Sequence, residues 1–521
     1  MTSSIQEHAQ PNELLAGLHR PLRIADGIHA SAQRTPSALA LTAGPRALTW
    51  AELDGRTRRV TAGAIRSLGI CPGDRVAILA PNCLEYPELV CGLADAGAIV
   101  ATLNPRGNVA ESAATCADCS ARVLFVHESL TAMAPRGGSL EYVISTGSLY
   151  EEWLQRQTVT SADQLPAGGD EAPFTLVYSS GTTGAAKGIV ISHRSRVLTF
   201  HAMAMEYGCF GPDDRFLAIA PMAHGAGFAF AMAGLYFGAR VDIVAKFDSE
   251  QVLMRLATED ITGVFMVPTL FVAIFALPAT VLDRYRGRFR SLKAIISNAA
   301  ALPQPVKQQV VDYFGAGLLH ETYGSTEAGI VSNIRPKHVL RKPGSVGVPF
   351  AATEVRLLDD SGAEVPTGIV GELFSRSPFL FSGYWSRPAA TRDCLRDGGW
   401  ISAGDLARRD ADGFLYIVDR KKDMVISGGI NIYPREIEEV LEQCAGVREA
   451  SVVGVPDVHW GERLRAYVVA DAAAPPSAEA LLDHCRTRLS GYKLPREIRF
   501  IDAIPRNLGG KVLKRALRDL P

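Results

Sequence analysis

Tyr178-Ser179-Ser180-Gly181-Thr182-Thr183-Gly184-Ala185-Ala186-Lys187-Gly188 constrains this chain more than any other stretch. Four Ser/Thr hydroxyls and three glycines within eleven positions cannot pack a core, but they can surround a polyanion. Glycines let the backbone approach closely and turn its N–H groups inward, and Lys187 adds a fixed positive charge. The register is not that of the G-x-x-x-x-G-K-[ST] loop. Only two residues separate Gly184 from Lys187, and Gly188 stands where a magnesium-binding hydroxyl should be. The stretch reads as a phosphate loop of another type, entered from the apolar run 174–177, which predicts a short buried strand.

Repetition of strand and helix surrounds this loop. Thr49-x-x-Glu52 has the form of a capping box opening a helix that stops at Gly69. Strands are predicted over 75–80 and 98–103, with a helix over 83–96 between them, which implies a parallel sheet covered by helices. Further strands are predicted over 188–191, 264–267 and 292–296, and a helix over 197–207. From 345 to 416 short β-prone pieces alternate with Asp/Gly turns and predict a small antiparallel or barrel-like subdomain. Beyond Arg420 comes a unit of about 100 residues with its own apolar residues, long enough to fold separately. The fold class is therefore α/β. A large N-terminal domain of doubly wound sheets (1–420) carries the small barrel-like subdomain, and a small mobile α+β domain (421–521) follows.

With 521 residues the chain exceeds the span of one core. Its 54 basic and 55 acidic residues leave a net charge of −1, which excludes the concentrated basic face of a nucleic-acid binder. Nine scattered cysteines point to reduced thiols and the cytoplasm, and Cys116-x-x-Cys119 lacks the second pair a zinc site needs. Two uncharged stretches, 216–239 and 261–282, are long enough for a membrane. Prolines and glycines interrupt both, so each reads as core, and the protein as soluble.

Four further stretches suit nucleotide chemistry. Tyr323-Gly324-Ser325-Thr326-Glu327 puts an aromatic ring, a hydroxyl and a carboxylate on one loop. Gly404-Asp405 offers a carboxylate to ribose hydroxyls, Asp419 to Asp423 is a charge cluster, and Gly509-Gly510-Lys511 presents an ammonium group beside two glycines. Alone, each has a structural alternative: a core tyrosine, a helix-capping acid, a solvated face, a surface lysine.

Taken in order, these stretches resemble the adenylate-forming superfamily of acyl-CoA synthetases, stand-alone adenylation domains and firefly-type luciferases, over nearly the whole chain. The motifs are the loop with Lys187, Tyr-Gly-x-Thr-Glu at 323–327, Gly-Asp at 404–405, Asp-Arg-x-x-Asp at 419–423, Ser-Gly-Gly-x-Asn at 427–431, and Gly510-Lys511. The resemblance implies that Ser179, Ser180, Gly181, Thr182, Thr183 and Gly184, with Lys187, cradle the phosphates of ATP. It places Tyr323 and Gly324 against adenine, with Asn298, Ala299 and Ala300 on the other side. Thr326 then meets the α-phosphate, Glu327 and Thr183 hold Mg²⁺, and Asp405 with Arg420 binds the ribose. Lys511 is the adenylation lysine, Lys422 the hinge, and Gly428 and Gly429 line the tunnel for coenzyme A. His224 gates an acyl pocket formed by Gly225, Ala226, Gly227, Asn298 and Gly324, with no charged partner expected beside it. Thr183, Glu327, His224 and Lys511 carry the catalysis.

The implied reaction joins a carboxylic acid to CoA through an acyl adenylate, with a medium- or long-chain fatty or an aromatic acid expected. Tyr492-Lys493-x-Pro495 supports CoA as acceptor; the alternative is an enzyme loading a carrier protein. A homodimer is one expected assembly. Asn298 and Ala301 replace the family's usual Gly and Pro, Asn507 a usual Thr, and Glu321 a frequent Gln. Asn298 leaves an amide at the pocket wall, free either for an oxygenated substrate or for its own loop.

Overall fold

The computed structural model describes residues 20–159, 169–179, 187–506 and 512–520. Two sheets form the large N-terminal part. In the seven-stranded sheet, Pro173–Ser179, Ile99–Thr102, Arg75–Leu79, Val123–Val126 and Tyr142–Ser145 run parallel, and Lys187–Ser192 and Gly383–Tyr384 close one edge antiparallel. The nine-stranded sheet has a parallel centre that includes Arg215–Ala218, Gly263–Met266, Ala294–Ser297 and Leu319–Ser325, with antiparallel strands at its edges. Central strands such as Ile99–Thr102, Val123–Val126 and Gly263–Met266 are buried along their whole length, which accounts for their continuous apolar runs.

The capping box forms as read: Thr49 accepts from the Glu52 N–H, Glu52 answers at Thr49, and the helix runs Trp50–Arg66. The apolar stretches taken as core are helices Gly225–Phe237, Pro268–Phe275 and Ala279–Tyr285 with their flanking strands. Among the described residues no helix is long and apolar enough to cross a membrane. Cys116 and Cys119 lie buried on helix Val109–Cys119, and burial pushes the Cys116 thiol up to about 12.

The segment read as a small antiparallel or barrel-like subdomain is a five-stranded antiparallel sheet built on Gly371–Arg376 and Trp400–Arg409. One detail differs from the sequence reading. The stretch 323–327 is not all loop, because strand Leu319–Ser325 runs on through Tyr323 and Gly324 before turning into Gly329–Ile334. A Cβ at Gly324 would stand 2.1 Å from the Gly329 carbonyl oxygen, so only glycine lets this hairpin close.

The smaller C-terminal part stacks helices Pro434–Glu442 and Ala478–Arg486 on strands Val447–Asp457 and Gly461–Ala470. Its apolar clusters are drawn only from residues 425 to 517, so among the described residues it has a core of its own.

Candidate active site

Strands Pro173–Ser179 and Lys187–Ser192 pair antiparallel, with Ser179 opposite Lys187, and so deliver both ends of the phosphate loop to the carboxyl edge of the sheet. Ser180, Gly181, Thr182, Thr183 and Gly184 lie outside the described residues, as does Lys511. The Lys187 ammonium sits 5.1 Å from the centre of the Tyr384 ring. On the same ring, the Tyr384 hydroxyl donates to Glu327 Oε1 at 2.8 Å. Burial, reinforced by Glu327, pushes the Tyr384 phenol well up, so it stays a donor. Tyr384 thus spaces the loop's cation from the carboxylate expected to hold the metal, and the sequence reading missed it.

At the ribose position, Asp405 is only 4% exposed and faces Arg420 across adjacent strands, with Arg420 Nε 3.0 Å from its Oδ1. The Tyr323 hydroxyl donates to Asp405 Oδ2 at 2.5 Å. Burial and the neighbouring carboxylate raise the Tyr323 phenol well above its ordinary value. Tyr323 and Asp405, the residues expected at the nucleotide, are therefore one hydrogen-bonded unit joining the nine-stranded sheet to the antiparallel one.

The loop after strand Ala294–Ser297 has its amide already engaged. Asn298 Nδ2 donates to Thr322 Oγ1 at 2.7 Å, and Asn298 Oδ1 accepts from the Ala299 N–H. The idea that this amide waits for a substrate oxygen is accordingly replaced by the other alternative: Asn298 serves its own loop and the next strand. Ala299 and Ala300 are exposed, and Ala299 sits at φ 78°, in the left-handed region.

His224 precedes helix Gly225–Phe237. Burial lowers its pKa and the charge of Arg106 lowers it further, so His224 is neutral. That corrects the expectation of no charged neighbour, since the exposed Arg106 is close enough to be felt. A Cβ on Gly225 would lie 3.6 Å from Thr326 Oγ1 and 3.8 Å from Val177, so the first turn of this helix abuts both the phosphate strand and the Thr-Glu turn. A Cβ at Gly227 would meet the Pro221 carbonyl oxygen at 2.2 Å, which fixes glycine there.

A second residue missed by the sequence reading holds this turn. Asn82, buried at the end of the seven-stranded sheet, donates Nδ2 to the carbonyls of Ile219 (3.2 Å), Ala220 (3.0 Å) and Val244 (3.3 Å). Its Oδ1 accepts from the Met222 N–H at 2.7 Å. One side chain bolts the two sheets together two residues before His224. The Pro-Asn pair at a strand's carboxyl end was the only available hint.

In the C-terminal part, Gly428 donates its N–H to the Trp460 carbonyl at 2.8 Å, and Ser427, Gly428, Trp460, Arg463, Tyr492 and Arg496 line a hollow beside Gly429. Two aromatic side chains and two guanidinium-bearing ones suit a base with phosphates. At the expected hinge, Lys421 Nζ reaches Asp360 (2.9 Å) and Glu372 (3.0 Å) of the large part. Asp423 meets Arg518 of the small part at 3.4 Å. Lys422 stands between these anchors, its pKa lowered by burial.

The chain matches the family model for AMP-binding enzymes over residues 28–385, and that for the AMP-binding enzyme C-terminal domain over 436–511. It belongs to the AMP-binding enzyme family. A feruloyl-CoA synthase of an Amycolatopsis species is 38% identical, covering 94% of this chain and 96% of the relative. A long-chain-fatty-acid–CoA ligase of Yersinia pestis is 33% identical over 91% of this chain and 90% of its own. The ATP-bound structure of MatB from Rhodopseudomonas palustris superposes with a TM-score of 0.87 at 28% identity, covering 95% of this chain and 98% of MatB. This AMP-binding enzyme is an acyl-CoA synthetase of the acid–CoA ligase branch, with ATP, Mg²⁺ and CoA as its small-molecule requirements. The donor set fits: one carboxylate, Glu327, is what Mg²⁺ takes from a protein when substrate phosphates and water complete its shell.

Proposed function

We propose that this ligase activates a bulky apolar carboxylic acid, an aromatic one first, and passes it to CoA. The observation that carries this reading is the wall that begins at His224. Helix Gly225–Phe237 bears no charged side chain, opens with Gly225, Ala226 and Gly227, and stacks Phe230 on Phe265 with ring centres 4.3 Å apart. Small residues leave room at the mouth. The 38% identity to a feruloyl-CoA synthase supports an aromatic acid over a long-chain one.

In this reading the carboxylate attacks the α-phosphorus, pyrophosphate leaves, and the acyl adenylate forms with AMP as the later leaving group. Lys187 and the hydroxyls of 179–184 hold the β- and γ-phosphates; Asp405, kept in place by Arg420 and Tyr323, accepts from the ribose hydroxyls. Mg²⁺ supplies charge neutralisation at the phosphates when held by Glu327 with Thr183. Lys511 adds a cation at the α-phosphate, where negative charge grows. The thiol then attacks the same carbonyl after the small domain turns about Lys422, with Gly428 and Gly429 lining its path and the Trp460–Tyr492 hollow taking the nucleotide end. The boundary at 420/421 is supported by the separate C-terminal core and by the opposite anchoring of Lys421 and Asp423. Nine free cysteines support work in the cytoplasm.

The test is pyrophosphate release and thioester formation across a panel of acids, with and without CoA and with Mg²⁺ chelated. Ferulate or a related aryl acid should lead the panel, AMP and pyrophosphate should be the products, and CoA alone should suffice as acceptor. Orthophosphate and ADP as products would overturn the mechanism, a lead by malonate or acetate the substrate class, and turnover only with a carrier protein the acceptor.

A further inference from the structure

Beneath the exposed Ala299–Ala300 stretch lies an ion pair that the reaction itself does not use. Glu321, in the middle of strand Leu319–Ser325, and Lys307, in the first turn of helix Gln304–Phe314, are 3% and 2% exposed and pair directly through Glu321 Oε2. The other oxygen, Oε1, accepts the N–H of Leu302 at 2.9 Å. Leu302 is the residue that ends the 298–301 loop. At the loop's start, Asn298 is tied to Thr322 at 2.7 Å, on the same strand as Glu321. The loop is thus held at both ends by consecutive residues of one strand, and Lys307 fixes the carboxylate that holds the second end.

A carboxylate is required there rather than a neutral amide, because Lys307 is buried and needs a counter-charge. The same burial makes the pair intolerant of losing one member, since the survivor is left as an uncompensated charge. Ala299 is held in a left-handed conformation that an alanine disfavours, with its N–H on Asn298 Oδ1 at the loop's start. Moving Leu302 would free the other end of the loop and let Ala299 relax.

We propose that Glu321 and Lys307 are positioning residues for ATP: their pair sets the loop 298–301 through the Leu302 N–H, and so sets the surface that meets the adenine. This rests on the reading above that Asn298, Ala299 and Ala300 flank the base. The pair touches no substrate and acts only through the loop.

The experiment compares full-length Glu321→Gln, Lys307→Met, the double variant and Glu321→Asp, with KM for ATP, acid and CoA measured separately alongside the thermal midpoint. Each single change should raise the KM for ATP about tenfold while leaving the KM for acid and CoA within about twofold, the signature of a ground-state binding effect confined to one substrate. The double variant should bring the KM for ATP back to within about threefold of the parent, because Gln still accepts from Leu302 and no charge is stranded. Glu321→Asp keeps the charge but loses reach, so it should keep the parent's thermal midpoint and still bind ATP weakly. A double variant no better than the singles would overturn the proposal. So would single variants that lower the thermal midpoint without raising the KM for ATP selectively. Ala300→Arg separates the two readings. If it raises the KM for ATP while the Glu321 and Lys307 variants do not, the positioning role fails and the adenine loop stands. If it leaves the KM for ATP unchanged, the adenine reading itself fails.

Discussion

Single side chains decide the chemistry here, and they can be separated by which half-reaction they serve. In the proposed mechanism Lys511 supplies one cation at the one place where charge gathers, the α-phosphate. Lys511→Ala should lower acid-dependent pyrophosphate release by about 10²–10³-fold, the usual loss for one transition-state charge stabiliser. Thioester formation from supplied acyl adenylate should stay near the parent rate; equal loss in both assays would assign Lys511 a structural role. At Ala299 the argument concerns stability. An alanine at φ 78° bears a penalty of roughly 1–2 kcal/mol that glycine escapes. Ala299→Gly should therefore raise unfolding stability by about 1 kcal/mol, read as a shift in denaturant midpoint at constant slope. Residues of this kind divide sharply in how visible they were in the sequence. Lys187, Glu327, Asp405 and Arg420 could be read as candidates because their motifs are local. Tyr384 and Asn82 could not, because each matters through a partner far along the chain: Asn82 meets Met222 across 140 positions. The Glu321–Lys307 pair could not either, because it forms between a helix and a strand whose packing no local pattern announces. The Asn298 amide was visible, but its engagement by Thr322 depended on how two parallel strands lie side by side.

At the scale of elements, the strand–helix alternation and the caps were readable because period and cap chemistry act within a few residues. The run through Tyr323 escaped, since Glu321, Thr322 and Gly324 break the apolar pattern of a strand that is buried all the same. Helices Asp26–Arg34, Trp50–Arg66 and Glu85–Asp95 carry a different lesson, about pH. His29 on the first meets Asp54 on the second directly and Asp95 on the third at 2.8 Å. Burial opposes its charge, but the hydrogen bonds to Asp54 and Asp95 outweigh burial and push the imidazolium up to about 9. The folded value therefore lies above the unfolded one, near 6.5. The stability this triad contributes is complete below pH 6.5 and is lost as pH rises through about 9. The thermal midpoint should fall across that window, and His29→Gln should flatten the fall. A variant that kept the parent's full alkaline slope would show that other groups set it.

At the scale of the molecule, the proposed boundary between the two parts falls beside Lys422. Lys421 is anchored to Asp360 and Glu372 on the large side and Asp423 to Arg518 on the small side, which supports Lys422 as the proposed hinge. Lys422→Pro fixes φ near about −65° and removes an N–H. Adenylation should survive it and thioester formation should fail; loss of both with folding intact, seen by circular dichroism, would contradict the domain swing. Within the large body, the Asn82 amide reaches across to three carbonyls of the other sheet, just before the acyl pocket begins. The consequence is a rule for altering substrate range. Changes at Gly225 and Ala226 would reshape the opening of the proposed wall, whose starting point is pinned, and leave the nucleotide end its geometry. A library that also varies Asn82 releases that point, and its members would differ from one another in frame as well as in lining.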